Sequence, residues 1–262
     1  MQLYPVWFHY LITICSGLLI GSFVNVLVAR LPHDVSIIRP RSRCPECQAM
    51  IHWYDNIPVF SYIFLRGHCR HCGKTISVRY PIIELLTMLL FIAAYVRFGW
   101  STLLIIRDWP FLAALVAITF IDLEHRIIPD VLSLGGIALG LVTSFFMPSG
   151  FWVVAISGAA LGFGSFFLLA WAYEKVTGRI GMGGGDIKLL GMLGAFLGPQ
   201  GVIASILISS ILGSLVGIGW ALARREKDIM KISIPYGPFL VIGGLYYYLL
   251  GDILWFQFMT PT

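Results

Sequence analysis

Charged side chains are scarce in this sequence: 12% of its 262 residues are Asp, Glu, Lys or Arg, and 58% are hydrophobic. A soluble domain carries about 25% charged residues. The shortage excludes an ordinary soluble enzyme and points to a lipid bilayer as the solvent for nearly the whole chain. Other features are missing too. No Lys or Arg precedes the first apolar run, so the basic start of a cleaved signal peptide is lacking. No internal repeat and no disordered linker is evident. Cysteine is rare, five residues in all, and four of these fall in one loop. No Ser/His/Asp arrangement stands out.

What is there is a series of apolar runs. A helix needs roughly 20 mainly apolar residues to cross a bilayer. Runs of this kind are Trp7–Ala29, Tyr80–Val96, one ending at Ile121, Val131–Met147, Phe151–Tyr173, Asp186–Leu197, Val202–Leu222 and Tyr236–Leu250. The expected fold is an all-α polytopic membrane protein of about eight transmembrane helices. The third run begins either at Leu103, with a kink at Pro110, or at Pro110 itself, where proline suits a first helical turn. The sixth is short, ended by Gly198-Pro199.

Sixteen of the eighteen Lys and Arg fall on one side of these helices: eight from Arg30 to Arg79, then Arg126, then Lys175, Arg179 and Lys188, then Arg224, Arg225, Lys227 and Lys231. Only Arg97 and Arg107 fall on the other. The positive-inside rule puts the basic loops in the cytoplasm and both termini outside. Membrane orientation thus explains the net charge of +5, and no nucleic-acid partner is expected.

The first long loop holds Cys44-Pro45-Glu46-Cys47 and Cys69-Arg70-His71-Cys72. Two Cys-x-x-Cys steps suit four thiolates converging on Zn²⁺. A cytoplasmic loop favours metal over disulfide, and a loop too short for its own core gains folding energy from the ion. His52, His68 and His71 are alternative ligands. Cys15, in the first helix, is expected in the core. Three segments follow: residues 1–30 as a first transmembrane helix, 31–79 as a zinc-binding cytoplasmic loop domain, and 80–262 as a membrane-embedded domain.

Two carboxylates sit where charge is costly. Asp122 ends the apolar run Phe111–Ile121, and Asp186 follows Gly181-Met182-Gly183-Gly184-Gly185 and opens another run. Both fall at cytoplasmic helix ends, so they can share one site. The glycine stretch lacks the Gly-Lys-Ser/Thr ending of a phosphate loop and the βαβ context of a dinucleotide fingerprint. Its glycines, Gly183 and Gly185 among them, let an extended peptide lie against the backbone. Two adjacent aspartates share one proton and act as base and acid on water and a peptide bond. Glu124 and Asp130 have easier access to water, and Asp130 is expected to cap the fourth helix. Glu84, just inside the second helix, either pairs with a basic group or takes part in function. Asn25 is expected to hydrogen-bond between helices. Lys188 either snorkels to the interface, holds a substrate carboxylate, or holds the Asp pair.

Together these motifs resemble the bacterial type IV prepilin peptidases, bifunctional leader peptidases and N-methyltransferases, over nearly the whole chain. Gly21-Ser22-Phe23-Val24-Asn25-Val26 with Arg30-Leu31-Pro32 is similar to the family's first-helix pattern. The cysteine pairs, Ile76-Ser77, and Arg79-Tyr80-Pro81 with Glu84 are similar to its zinc domain. Asp122 in the Asp-Leu to Ile-Pro-Asp segment, and Asp186 in Gly183-Gly184-Gly185-Asp186 with Lys188, match its two catalytic aspartates. Position 184 is Gly, where many members carry an aromatic. The resemblance implies cleavage of basic leaders from prepilins and type II secretion pseudopilins, after glycine, on the cytoplasmic side of the inner membrane. It also implies methylation of the new N-terminal residue by S-adenosylmethionine, an activity the family links to the cysteine loop. A carboxylate-coupled transporter is the alternative from another class.

Overall fold

Without water to satisfy their backbone, apolar runs in a bilayer must fold as helices, and helices dominate the result. A computed structural model of the chain describes residues 5–147, 150–179, 181–224 and 235–259, with backbone alone for 224 and 252–259. The chain is an all-α polytopic membrane protein: α1 (Val6–Arg30), a one-turn α2 (Phe60–Phe64), α3 (Arg79–Phe98), α4 (Trp109–His125), α5 (Asp130–Ser144), α6 (Phe151–Thr177), α7 (Gly184–Arg224) and α8 (Gly237–Met259). Five described helical stretches are long and apolar enough to cross a membrane, and Asp130–Ser144 and Gly237–Gly251 are shorter apolar helices. Among the described residues there is no strand, only two isolated bridges. The basic positions Arg225, Lys227 and Lys231 lie outside the described residues.

Both uncertain helices resolve in a physically sensible way. A π-helical turn, Leu104–Asp108, leads into α4, so the third helix starts upstream of Pro110. That turn buries Arg107 and Asp108, which form an ion pair of 2.9 Å. The sixth and seventh runs make up α7, broken at Gly198 (φ 72°, ψ −176°) ahead of Pro199. Proline cannot continue the hydrogen-bond ladder, and glycine alone adopts that backbone without strain.

The chain divides into two units, residues 1–117 and 118–262. In the first, α1 packs on α3. A side chain at Gly17 or Gly21 would meet the backbone of Met88 at 2.6 Å or of Glu84 at 2.7 Å. Helices in lipid associate by such close approaches, because the solvent supplies no hydrophobic drive between them. Asn25 bridges the pair as expected, its Nδ2 donating to the Tyr80 carbonyl at 3.1 Å. Cys15 is exposed, contrary to the sequence expectation. The face that packs is set by Gly17, Gly21, Val24 and Val28, and Cys15 lies off it.

In the second unit α7 is the hub, with Leu189, Leu190, Met192 and Leu193 fully buried. Gly158 and Gly162 of α6 lie against Gly194 and Leu190 of α7, backbone to backbone. Gly136 of α5 receives Met192, and Gly243 of α8 sits against Ser205. Gly158→Ala should therefore lower the melting temperature in detergent. Gly164→Ala, on the same helix with nothing within 4 Å of the new methyl, should be neutral or raise it, by up to about 1 kcal/mol of helix propensity.

Candidate functional site

Four sulfurs converge in the loop between α1 and α3. Each cysteine pair is wrapped in the same frame. Cys44 N–H donates to Ala49 O and Gln48 N–H to Cys44 O at 3.0 and 2.9 Å; Cys69 N–H donates to Lys74 O and Gly73 N–H to Cys69 O at 2.8 and 3.0 Å. The bridges Arg43 to Met50 and His68 to Thr75 close the two frames identically. This is a local structural repeat that inspection of the sequence did not reveal. The residue after each second cysteine turns left-handed, Gln48 at φ 58° and Gly73 at φ 68°. The sulfurs of Cys44, Cys47, Cys69 and Cys72 all lie within 4.8 Å of one another, and Cys44 to Cys72 is 3.9 Å. Thiolates about 2.3 Å from a tetrahedral ion stand about 3.8 Å apart, so the cluster could hold a metal.

The electrostatics agree. Backbone hydrogen bonds from Cys72 and His71 bring the Cys69 thiol down to about 6. At Cys72 the Lys74 N–H acts in the same sense, but burial and the neighbouring Cys47, Cys69 and Cys44 outweigh it and push the thiol up to about 11. Thiols that hinder one another's ionisation suit a cation at their centre. Two of the histidines are engaged elsewhere: His52 stacks on Tyr54, and His68 Nδ1 lies 2.6 Å from the Arg66 carbonyl. Between Cys69 and Cys72 in sequence, Arg70 grips Asp55 through three hydrogen bonds of 2.6–3.0 Å, which holds the Asp55 carboxyl below its usual range.

The second unit assembles the aspartates. Asp122 is buried one turn from the end of α4, where Arg126, at φ 56°, closes the helix by donating its N–H to the Asp122 carbonyl. The Asp122 Oδ2 accepts the Gly237 N–H, 2.9 Å, at the first residue of α8. Helix N-termini present unpaired N–H groups and a partial positive charge, so a carboxylate is a fitting partner. Asp186 sits in the first turn of α7, half-buried, and among the described residues receives no hydrogen bond to its carboxylate. The two carboxylates lie near enough to act on each other electrostatically. Ile128, buried between α4 and α5, explains the tight fit. A side chain at Gly185 would meet Ile128 Cβ at 2.8 Å, and one at Gly237 would meet Ile128 at 3.3 Å and Asp122 Oδ2 at 2.7 Å. Gly183 would be only 3.5 Å from Asp186 Oδ2, and Gly184 faces open space.

Other sequence candidates lie apart from this pair. Lys188 ion-pairs with Asp130 at 2.6 Å, so it holds neither aspartate of the pair. Asp130, for its part, is the first residue of α5 after Pro129 and makes no side-chain cap. Glu124 and Asp130 are exposed, as expected. Glu84 belongs to the first unit, where its Oε2 accepts the Val59 N–H at 2.7 Å; its partner is an amide and not the basic group considered above. Gly237 was missed by sequence reasoning. Its signal was Gly237-Pro238 at a helix start, which marks an element boundary. Next to it, Tyr236 bonds Ser209 at 2.7 Å and, with Ser210, Gly213, Ser214 and Phe239, lines an open cavity of about 330 Å³.

Comparison with known proteins now decides the lineage. Residues 15–98 match the bacterial peptidase A24 N-terminal domain, and residues 109–218 match the type IV leader peptidase family. A prepilin leader peptidase/N-methyltransferase of Pseudomonas putida is 38% identical over 95% of this chain and 92% of that protein. This chain belongs to the type IV leader peptidase family. Other members with the same name are 36% identical in Aeromonas hydrophila, over 97% of this chain and 95% of that protein, and 45% identical in Myxococcus xanthus. The Myxococcus match covers 79% of this chain and 62% of that longer protein. No solved structure matches this family member.

Two outcomes test the cysteine cluster. Cys47→Ser should bind less than one metal per chain by elemental analysis and melt at a lower temperature. Gln48→Gly should stabilise the loop by about 1 kcal/mol, because it removes a left-handed non-glycine.

Proposed function

We infer that this chain is a membrane aspartic endopeptidase that removes the leader of type IV prepilins and then N-methylates the exposed residue. The observation that carries the peptidase reading is that the last turn of α4 and the first turn of α7 come together around Ile128, with Asp122 and Asp186 near enough to influence each other electrostatically. Membership of the leader peptidase family and the name shared by its relatives support both activities. The transporter alternative finds no support among those relatives.

On this reading the aspartates share one proton. The ionised member takes a proton from water as the oxygen attacks the scissile carbonyl. The protonated member donates a hydrogen bond to that carbonyl oxygen and then gives its proton to the leaving amine. No covalent intermediate forms, and the pair titrates as a unit. Gly183 and Gly185 leave space beside Asp186 for an extended leader, with cleavage following a glycine. Lys188, through Asp130, ties the start of α7 to that of α5 and so supports the site from its rim. Pseudopilins of type II secretion are further substrates on the same chemistry. Eight crossings of the bacterial inner membrane, oriented by the basic loops, would put the site and the cysteine loop on the cytoplasmic side.

The metal is zinc, a structural ion held by Cys44, Cys47, Cys69 and Cys72; four thiolates leave no open position for catalysis. S-adenosylmethionine supplies an electrophilic methyl group to the new amine. The chain has no dinucleotide-type glycine loop, so a different arrangement holds that donor.

Purified protein in detergent, given a prepilin-like peptide with and without the methyl donor, should release the leader and then add about 14 Da, one methyl group in place of one hydrogen, only when the donor is present. Asp122→Asn and Asp186→Asn should each lower cleavage by at least about 10²-fold with normal membrane insertion. Cleavage retained in either variant would exclude the dyad. Gly237→Ala, which crowds Asp122, should lower kcat more than it raises KM.

A further inference from the structure

The segment between the cysteine pairs contains a strained turn that neither the metal cluster nor the aspartates require. The Phe60 N–H donates to the Pro58 carbonyl at 2.6 Å, closing a three-residue turn. Val59 at its centre has φ 63° and ψ −50°. A β-branched residue with positive φ is a true outlier, and such conformations persist only where the surroundings enforce them. Here the enforcing group is Glu84. Its buried carboxylate accepts the Val59 N–H at 2.7 Å and lies beside Ser22 of α1.

These partners fix a depth. Glu84 lies five residues inside α3, counted from Arg79, and Ser22 lies eight residues inside α1, counted from Arg30. At 1.5 Å per residue those positions are about 7 and 12 Å in from the helix ends. The loop therefore leaves the membrane helices, builds the first cysteine frame, dips back beside the helices at Val59 and then builds the second frame. There α2 begins. It turns Ser61 inward, where the hydroxyl bonds the Tyr54 carbonyl at 2.8 Å and the Ile57 N–H at 3.1 Å. It turns large apolar side chains outward: Phe60, Ile63 and Phe64 are 56%, 64% and 82% exposed, and nearby Trp53 is 73% exposed. Around them the loop is basic, with seven Lys and Arg from residue 31 to 79 against Asp34, Glu46 and Asp55. Apolar side chains at this depth under a positive surface match the interface of an anionic leaflet.

We propose that α2, with Trp53, is an interfacial anchor. Phe60, Ile63 and Phe64 enter the acyl region of the leaflet on the cysteine-loop side, and Glu84 is the positioning residue that holds them there through Val59. The anchor sets the height of the cysteine cluster over the membrane. It does not depend on the peptidase chemistry.

Photocrosslinking tests this in the full-length protein reconstituted in phosphatidylethanolamine and phosphatidylglycerol vesicles. p-Benzoylphenylalanine replaces Phe64 in one sample and Glu46, exposed in the first cysteine frame, in another. Mass spectrometry should find several-fold more lipid adduct at 64 than at 46. Glu84→Met, which removes the acceptor, should cut the adduct at 64 severalfold; if that variant fails to fold, the comparison of 64 with 46 still decides. Equal lipid adduct at the two positions overturns the anchor. So does crosslinking at 64 to a second copy of the chain, or to an added prepilin-like peptide, in place of lipid.

Discussion

Two carboxylates held near each other in an apolar helical assembly repel, and the second unit must keep them together against that repulsion. It does so with geometry. The end of α4 and the start of α7 are drawn together around Ile128, and the start of α8 comes in beside them. The approach is possible because Gly185 and Gly237 have no side chain to strike it. The α8 N-terminus gives Asp122 a backbone donor, while Asp186 stays half-buried, its carboxylate without a hydrogen bond among the described residues. One member of the pair is anchored and the other is left available. On the proposed function, that asymmetry suits a water-splitting site, where one carboxyl must stay placed while substrate and solvent reach the other.

The same device recurs through the membrane helices. Lipid offers no hydrophobic drive between helices, so contact depends on how near two backbones can come. Gly17 and Gly21 serve α1 against α3, and Gly158 and Gly162 serve α6 against α7. The cysteine loop solves a different problem. It has little core of its own, and two identical hydrogen-bonded frames present four sulfurs at a spacing that a tetrahedral ion would lock.

Much of this was legible beforehand, for identifiable reasons. Asp122 and Asp186 stood out because a charge beside an apolar run is expensive, and the Cys-x-x-Cys pairs because their spacing has few other uses. Asn25 was read correctly as a bridge between helices. Partners and faces were left open or misread. Of the roles open to Lys188 and Glu84, holding the Asp pair and pairing with a cation give way to contacts with Asp130 and a backbone amide, while Asp130 caps nothing and Cys15 is exposed. Gly237 passed unnoticed because a glycine before proline reads as a boundary until the carboxylate it must clear is known. The likeness of the two cysteine frames was hidden because Gln48 occupies the left-handed position that Gly73 holds in the other.

Hydropathy, charge placement and residue spacing were enough to establish a polytopic helical protein, its candidate aspartates and its four-cysteine cluster. Those properties follow from transfer energies and local chain geometry, which act residue by residue. Tertiary structure alone decided which helix ends converge, which polar groups pair, and that Val59 is pulled back beside the membrane helices. Those outcomes depend on distances between segments far apart in the chain, and only packing sets such distances.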